Sequence, residues 1–192
     1  VLFRSCPSYI ELVNKYIPDM KKYVSGTGSP MYYAARIAKE KYPDAKIVFV
    51  GPCVAKRKEA QRDEAVDFVM TFEEVSSIFD AFEVNLEIVQ PYAMEFSSVR
   101  EAHGFAQAGG VMGAVKAFLK MEADKINAIQ VSDLNKKNIG TLRAYAKSGK
   151  APGQFIEVMA CEGGCITGPS THSGSNGKRQ LVQELAKQEK TY

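Results

Sequence analysis

The apolar residues of this chain follow two alternating patterns, a helical spacing of three to four residues and short continuous runs. The first pattern predicts amphipathic helices, and the second, where β-branched residues are frequent, predicts buried strands. The predicted helices are 7–22, 29 to near 43, 72–82, 109–119, 135–148 and 179–188, and the predicted strands are 46–50, 65–70, 126–131 and 155–160. The run 84–89 is ambiguous, and the Gly/Ser-rich stretch 168–177 is predicted to be a surface loop.

The alternation of strands and helices indicates βαβ units, so we expect an α/β fold with a mainly parallel sheet flanked by helices. In such folds ligands bind at the carboxyl ends of the strands. Cys53 follows the strand 46–50 after two intervening residues, and Cys161 directly follows the strand 155–160. We therefore expect these two thiols at one edge of one sheet.

Composition narrows the protein class. The 192 residues, 45% of them hydrophobic, are enough for one domain or one lobe of a larger one. A net charge of +3 from 25 basic and 22 acidic residues argues against a nucleic-acid partner. No apolar run approaches about 18 residues and no secretory signal is visible, so we expect no membrane association and a cytoplasmic location. The chain opens on Val1 rather than Met, which favours a piece of a longer protein.

The four cysteines are the strongest chemical signal. Their spacing is C-x46-C-x107-C-x3-C, which matches neither zinc ribbons nor the usual ferredoxin run. A disulfide framework is typical of short secreted domains, which argues against disulfides in this longer chain without a visible secretory signal. Four thiolates can bind zinc or an iron–sulfur cluster, and the alternative is four buried thiols without a ligand. Cys6 precedes a helix opened by Pro7, whose amide groups can stabilise a thiolate.

Four motifs in order resemble the catalytic domain of the iron-only (FeFe) hydrogenases. They are CP at 6–7, PCVAKRKE at 52–59, GGVM at 109–112 and MACEGGC at 159–165. The resemblance spans essentially the whole chain. It implies one lobe of that domain over residues 1–192, with the N-terminal lobe absent.

The resemblance also implies site residues. Cys6, Cys53, Cys161 and Cys165 would hold a 4Fe–4S cluster, and Cys165 would bridge it to a diiron subcluster with CO and cyanide ligands, the H-cluster. Lys56 would donate to a cyanide, and Met159 would line the diiron pocket. Glu59 would either accept a hydrogen bond behind that contact or belong to an exposed charged helix face.

The sequence departs from the family pattern in four places. The family's proton-relay cysteine is Ser5 here, and a serine hydroxyl is a far weaker acid than a thiol. The methionine before the Pro-Cys motif is Gly51, which we expect to open the pocket wall. Residues 166–172 replace a glycine-rich segment, and the chain is about half a catalytic domain.

The function implied is reversible H2 oxidation and proton reduction, or H2 sensing as in the divergent sensory branch. The alternative is a non-catalytic 4Fe–4S protein of iron–sulfur assembly or signalling without the diiron unit. The GGVM helix and Lys56 favour the hydrogenase side. The implied partners are an electron-transfer protein such as ferredoxin, fused ferredoxin-like or sensory modules, and the absent lobe. Whether the chain is an enzyme stays open, and the lobe alone is expected to be inactive.

Overall fold

The computed structural model describes residues 5–90, 92 and 98–192. The strands are β1 (Val48–Gly51), β2 (Phe68–Thr71), β3 (Ala128–Ser132) and β4 (Phe155–Met159). The helices are α1 (Pro7–Tyr16), α2 (Pro30–Lys41), α3 (Lys56–Ala60), α4 (Phe72–Ala81), α5 (Arg100–His103), α6 (Gly110–Leu119), α7 (Lys136–Ser148) and α8 (Ser175–Ala186). Short 3-10 segments follow α1, α5 and α6, and another begins at Cys165. No helix in these ranges is long and apolar enough to cross a membrane.

The strands pair in parallel, and helices connect them, so the predicted α/β class is confirmed. β1 pairs with β2, with Val48 opposite Phe68, and β3 pairs with β4, with Ala128 opposite Phe155. Within the described ranges these are two separate two-stranded sheets. The expectation that Cys53 and Cys161 leave one edge of one sheet was therefore wrong, because β1 and β4 belong to different sheets.

Each sheet has its own apolar core. α1, the 3-10 turn after it and α7 pack on the β3–β4 sheet, and α2 packs on β1–β2. The larger core contains Cys6, Tyr9, Val13, Ile17, Met20, Val131, Leu142, Ala146, Ile156 and Val158. Cys6 is thus both a candidate ligand and a buried member of the larger core.

Several boundaries follow from local signals. Ser29 caps α2 by accepting a hydrogen bond from the Tyr32 amide, and Thr71 forms a capping box with Glu74 at the start of α4. Gly149 ends α7 in the left-handed conformation, at φ 67°. These three boundaries were predicted from the sequence.

Other boundaries differ from the prediction. The helix predicted over 7–22 ends at Tyr16, because Pro18 disfavours helical geometry at Ile17, whose φ and ψ are −138° and 59°. The run 84–89 forms turns. α8 begins at Ser175, inside the stretch predicted to be a loop, and Gly168 and Gly177 in that stretch are buried.

Asp67 joins the entry of β1 to that of β2, and it makes the fold sensitive to acid. Its carboxylate accepts from the Ile47 amide at 2.8 Å and from Lys46 Nζ at 3.0 Å. The amide, and then Lys46, lower the pKa of Asp67 to about 2. Because the folded-state pKa is below the unfolded value of about 4, this stabilisation is present above pH 4 and is lost as the pH falls towards 2.

We therefore expect Asp67→Asn to flatten the pH dependence of thermal unfolding of the metal-free chain between about pH 4 and pH 2. Asp124→Asn, at an exposed position in the 3-10 turn after α6, is the matched control and should leave the profile unchanged. An Asp67→Asn profile that superimposes on the wild-type profile would contradict the assignment.

Candidate metal centre

Four free thiols converge from three regions of the fold. Cys6 is the residue before α1, Cys53 follows β1, and Cys161 and Cys165 lie in the loop after β4. Each of three thiols has its pKa raised by the charge of its neighbours. Cys53 acts on Cys6, and Cys6, Cys53 and Cys161 all act on Cys165. Because such effects decline with distance, the four thiols lie near one another.

Burial is the main influence on these thiols. It raises the pKa of Cys6 and Cys161, and it raises the pKa of Cys165 to about 12, with the neighbouring thiols adding to the effect. Burial therefore favours the protonated form of these three thiols, whereas a metal binds the thiolate form. Binding of a metal would therefore be accompanied by proton release.

Cys6 also has a local source of stabilisation. It occupies the N-cap position of α1, where the first amide groups of the helix have no partner within the helix. The amides of Tyr9, Ala160 and Ser8 oppose the effect of burial and lower the pKa of the Cys6 thiol. Backbone amides directed at a thiolate are typical of iron–sulfur sites, where they also stabilise the reduced cluster.

The spacing of the thiols bears on the kind of metal. A tetrahedral zinc ion with bonds of about 2.3 Å to sulfur would hold four sulfurs about 3.8 Å apart around one point. In the described part of the chain, no group of three or more Cys, His, Asp or Glu residues is placed around a single ion in this way. A cubane cluster binds each thiolate at a different iron. Four thiols are a donor type that zinc and iron–sulfur clusters both accept.

The loop that carries Cys161 and Cys165 is held against the segment before α6. Gly163 and Gly164 have φ values of 77° and 103°, and the Gly163 carbonyl accepts from the Ala108 amide at 2.9 Å. A Cβ atom on Gly164 would lie 2.4 Å from the Ala108 nitrogen. Only glycine fits there, so the two glycines set the path between the two cysteines.

A second contact joins this loop to Cys53. The Ser170 amide donates to the Pro52 carbonyl at 3.2 Å, and a Cβ atom on Gly168 would lie 2.9 Å from the same oxygen. The backbone after Cys165 is thus pressed against the residue before Cys53. This packing brings together thiols from the two separate sheets.

Lys56 lies at the edge of the thiol site in a buried ion pair. Its side chain is 11% exposed, and its Nζ donates to Glu59 Oε2 at 2.7 Å, to Ser29 Oγ at 3.3 Å and to the Ser5 carbonyl at 3.5 Å. The Ser29 hydroxyl donates to the other oxygen of Glu59. The charge of Lys56 also lowers the pKa of Cys165.

The alternative of an exposed charged face therefore applies to Arg57 and Lys58, which are exposed, and not to Lys56 or Glu59. Ser5 is half-buried beside this network, and Met159 is buried at the end of β4. The structure brings Ser5, Lys56 and Glu59 together next to the thiols. Their roles, and that of Met159, stay predictions.

The expectation that Gly51 opens the pocket wall was wrong. A Cβ atom on Gly51 would lie 2.6 Å from the ring of Phe49, so this ring already occupies the space. Lys56 Nζ lies 5.7 Å from the centre of the same ring, within reach of a cation–π interaction. Phe49 therefore fills the wall where the family pattern has a methionine.

Glu157 was missed by the sequence analysis. It is 1% exposed in the middle of β4, and its carboxylate accepts from the Gly109 amide at 2.8 Å and the Met112 amide at 2.7 Å. Burial raises its pKa, while the two amides oppose that shift. The pair of bonds anchors the start of α6 over β4. The sequence contained one signal for this residue, a single acidic side chain in the otherwise apolar run 155–160, FIEVMA.

Comparison with known proteins identifies the family of this chain. The family described as iron only hydrogenase large subunit, C-terminal domain, matches residues 2–169. The chain belongs to this family.

Similar proteins include both an iron–sulfur assembly factor and a hydrogenase. The chain is 27% identical to the cytosolic Fe-S cluster assembly factor narfl of Danio rerio, over 98% of this chain and 59% of the relative. It is also 27% identical to iron hydrogenase 1 of Clostridium pasteurianum, over 85% of this chain and 36% of the relative. The chain thus spans between about a third and three fifths of these two proteins.

Solved structures show the same fold. An FeFe-hydrogenase HydA1 variant from Chlamydomonas reinhardtii superimposes with a TM-score of 0.71 at 21% identity, covering 100% of this chain and 68% of that one. The structure HydA(deltaEFG) gives a TM-score of 0.71 at 22% identity, over 100% and 68%. The chain therefore has the fold of an FeFe-hydrogenase domain.

Proposed function

We propose that this member of the iron-only hydrogenase family holds a 4Fe–4S cluster through Cys6, Cys53, Cys161 and Cys165. The observation that carries the proposal is the convergence of the four thiols, held by the packing of the loop after Cys165 on the residue before Cys53. The amides around Cys6 and the glycine-shaped loop between Cys161 and Cys165 support it, because both are arrangements suited to a cluster.

We further propose that the longer parent protein carries the diiron subcluster, bridged by Cys165, and catalyses reversible H2 oxidation or senses H2. When bound, that group supplies the redox chemistry of hydrogen. Glu59 and Ser29 would orient the Lys56 ammonium beside it, and Met159 would contribute an apolar wall. Ser5 would pass protons through its hydroxyl more slowly than a thiol does.

One observation favours the second candidate, a non-catalytic iron–sulfur protein of assembly or signalling. The three N–H groups of the Lys56 ammonium have three acceptors within the protein, namely Glu59, Ser29 and the Ser5 carbonyl. A cyanide would have to displace one of them. The similarity to an assembly factor over 98% of the chain is in line with this candidate.

The proposed partners are an electron-transfer protein such as ferredoxin, or fused ferredoxin-like or sensory modules, and the N-terminal lobe. The outer face of β1–β2 supports the proposal that the N-terminal lobe is a partner. Val48, Val50 and Phe68 are exposed on that face, at 45%, 42% and 58%. Parallel sheets are normally covered on both faces. A cytosolic location is proposed by similarity to the cytosolic assembly factor of Danio rerio.

Anaerobic reconstitution with iron and sulfide tests the first proposal. We expect one cubane per chain by iron and sulfide analysis, and an EPR signal on reduction. A chain that takes up zinc and no cluster would overturn it.

Infrared spectroscopy then separates the two candidates. The parent protein is co-expressed with the hydrogenase maturation machinery, and CO and cyanide bands are expected for the hydrogenase-type function. A cubane without these bands and without H2 activity would favour the assembly or signalling function.

A further inference from the structure

Tyr9 presents a buried hydroxyl group without a protein partner. The residue is 0% exposed, and its ring lies in the apolar core formed by α1, α7 and the β3–β4 sheet. Among the residues that the structure describes, none accepts a hydrogen bond from Tyr9 Oη or donates one to it. A buried hydroxyl in this state is costly, so such groups nearly always have a partner.

Tyr9 and Cys6 belong to the same core cluster at the start of α1. Tyr9 lies three residues after Cys6, and long side chains of an α-helix lean towards the N-terminus over the residue at i−3. Besides burial, which is the larger influence, the Cys6 thiolate raises the pKa of Tyr9. Both influences raise the pKa of Tyr9 above its ordinary value, so the hydroxyl keeps its proton at neutral pH and can act as a donor.

We propose that Tyr9 Oη donates a hydrogen bond to a sulfur atom of the cluster held by the four cysteines. The inference rests on the proposed function, since it requires a cluster at that site. Cysteine sulfurs and inorganic sulfides both accept hydrogen bonds and carry more negative charge after reduction. A donor aimed at them stabilises the reduced cluster and raises its reduction potential.

The test compares two Tyr→Phe variants on one helix. Tyr9→Phe removes the hydroxyl and keeps the ring, and Tyr16→Phe makes the same change at an exposed position of α1, where the residue is 63% exposed. The midpoint potential of each reconstituted protein is measured by EPR-monitored redox titration. We expect a lower potential for Tyr9→Phe than for wild type, and no change for Tyr16→Phe.

A Tyr9→Phe protein with full iron content and the wild-type potential would overturn the inference. That outcome would mean the hydroxyl bonds to a buried water or to nothing. It is distinct from failure of the proposed function, in which the wild-type chain itself takes up no cluster.

If Tyr9→Phe does not fold, the inference is tested by measuring the reduction potential of a fluorinated protein. Replacing the tyrosines by 3-fluorotyrosine keeps every ring and makes the hydroxyl a stronger donor. The reduction potential should then rise, the opposite direction to Tyr9→Phe. An unchanged potential in the fluorinated protein would also overturn the inference.

Discussion

Cys53→Ser is expected to abolish assembly of an intact cubane while leaving the fold in place. A serine hydroxyl is not ionised near neutral pH and is a poor ligand for the iron of a cluster, which prefers thiolates. Cys53 is half-exposed and lies outside both apolar cores, so its replacement removes a ligand and little packing. The reduced-cluster EPR signal should disappear, and iron content should fall below that of the wild-type chain.

The matched control is Val54→Ala, at the next residue. Val54 is 49% exposed, and this change leaves all four thiols in place. We expect wild-type iron and EPR signal from it. Circular dichroism of both variants establishes that the fold is kept. Full iron incorporation by Cys53→Ser would remove this residue from the ligand set.

Cys6 makes a less informative target, and the structure explains why. Its side chain is 8% exposed and belongs to the larger core. Cys6→Ser would put a hydroxyl into that core, so a loss of iron there would mix a lost ligand with lost stability. The contrast between the two variants separates ligand chemistry from packing.

Gly164→Ala is expected to destabilise the chain and prevent cluster binding, although it changes no ligand. Gly164 has φ 103° and ψ −167°, a conformation that is essentially restricted to glycine. The strain alone costs about 1–3 kcal/mol. The added Cβ would also lie 2.4 Å from the Ala108 nitrogen and 2.7 Å from the Gln107 carbonyl carbon, so backbone must move.

That movement would change the path between Cys161 and Cys165. We therefore expect a melting temperature lowered by several degrees in the metal-free chain, and loss of the cluster after reconstitution. Gly113→Ala on α6 is the control, because a Cβ there meets no atom within 4 Å and alanine favours helix. Its melting temperature should be unchanged or higher. Normal iron uptake by Gly164→Ala would show that the loop tolerates the shift.

Gly164 belongs to an assembly built around β4. The strand carries Glu157, which holds the start of α6, and it leads into Cys161. The segment before α6 in turn packs on Gly164. β4 thus positions both the loop that carries Cys161 and Cys165 and the segment before α6 on which this loop packs.

The elements predicted well were those with signals close by in the chain. Ser29 at the start of α2, the Thr71 capping box and Gly149 at the end of α7 each depend on groups within a few residues. The end of α1 was also encoded locally, in Pro18, but the helical spacing of apolar residues continues past it into the 3-10 turn. The spacing of apolar residues alone does not distinguish one continuous α-helix from an α-helix followed by a 3-10 segment.

The sequence by itself determined the family motifs, the α/β class and the four candidate thiols, because these depend on residue type and on near neighbours. Only the tertiary structure decided that, among the described residues, elements of two separate sheets bring those thiols near one another, through the contact of Gly168 with Pro52. It also decided that Phe49 fills the space at Gly51, that Lys56 pairs with Glu59 and Ser29, and that Tyr9 Oη is left without a protein partner. Two of these contacts, Gly168 with Pro52 and Lys56 with Ser29, join residues distant in the chain. All of them depend on packing and side-chain orientation, for which the local spacing of apolar and polar residues contains no signal.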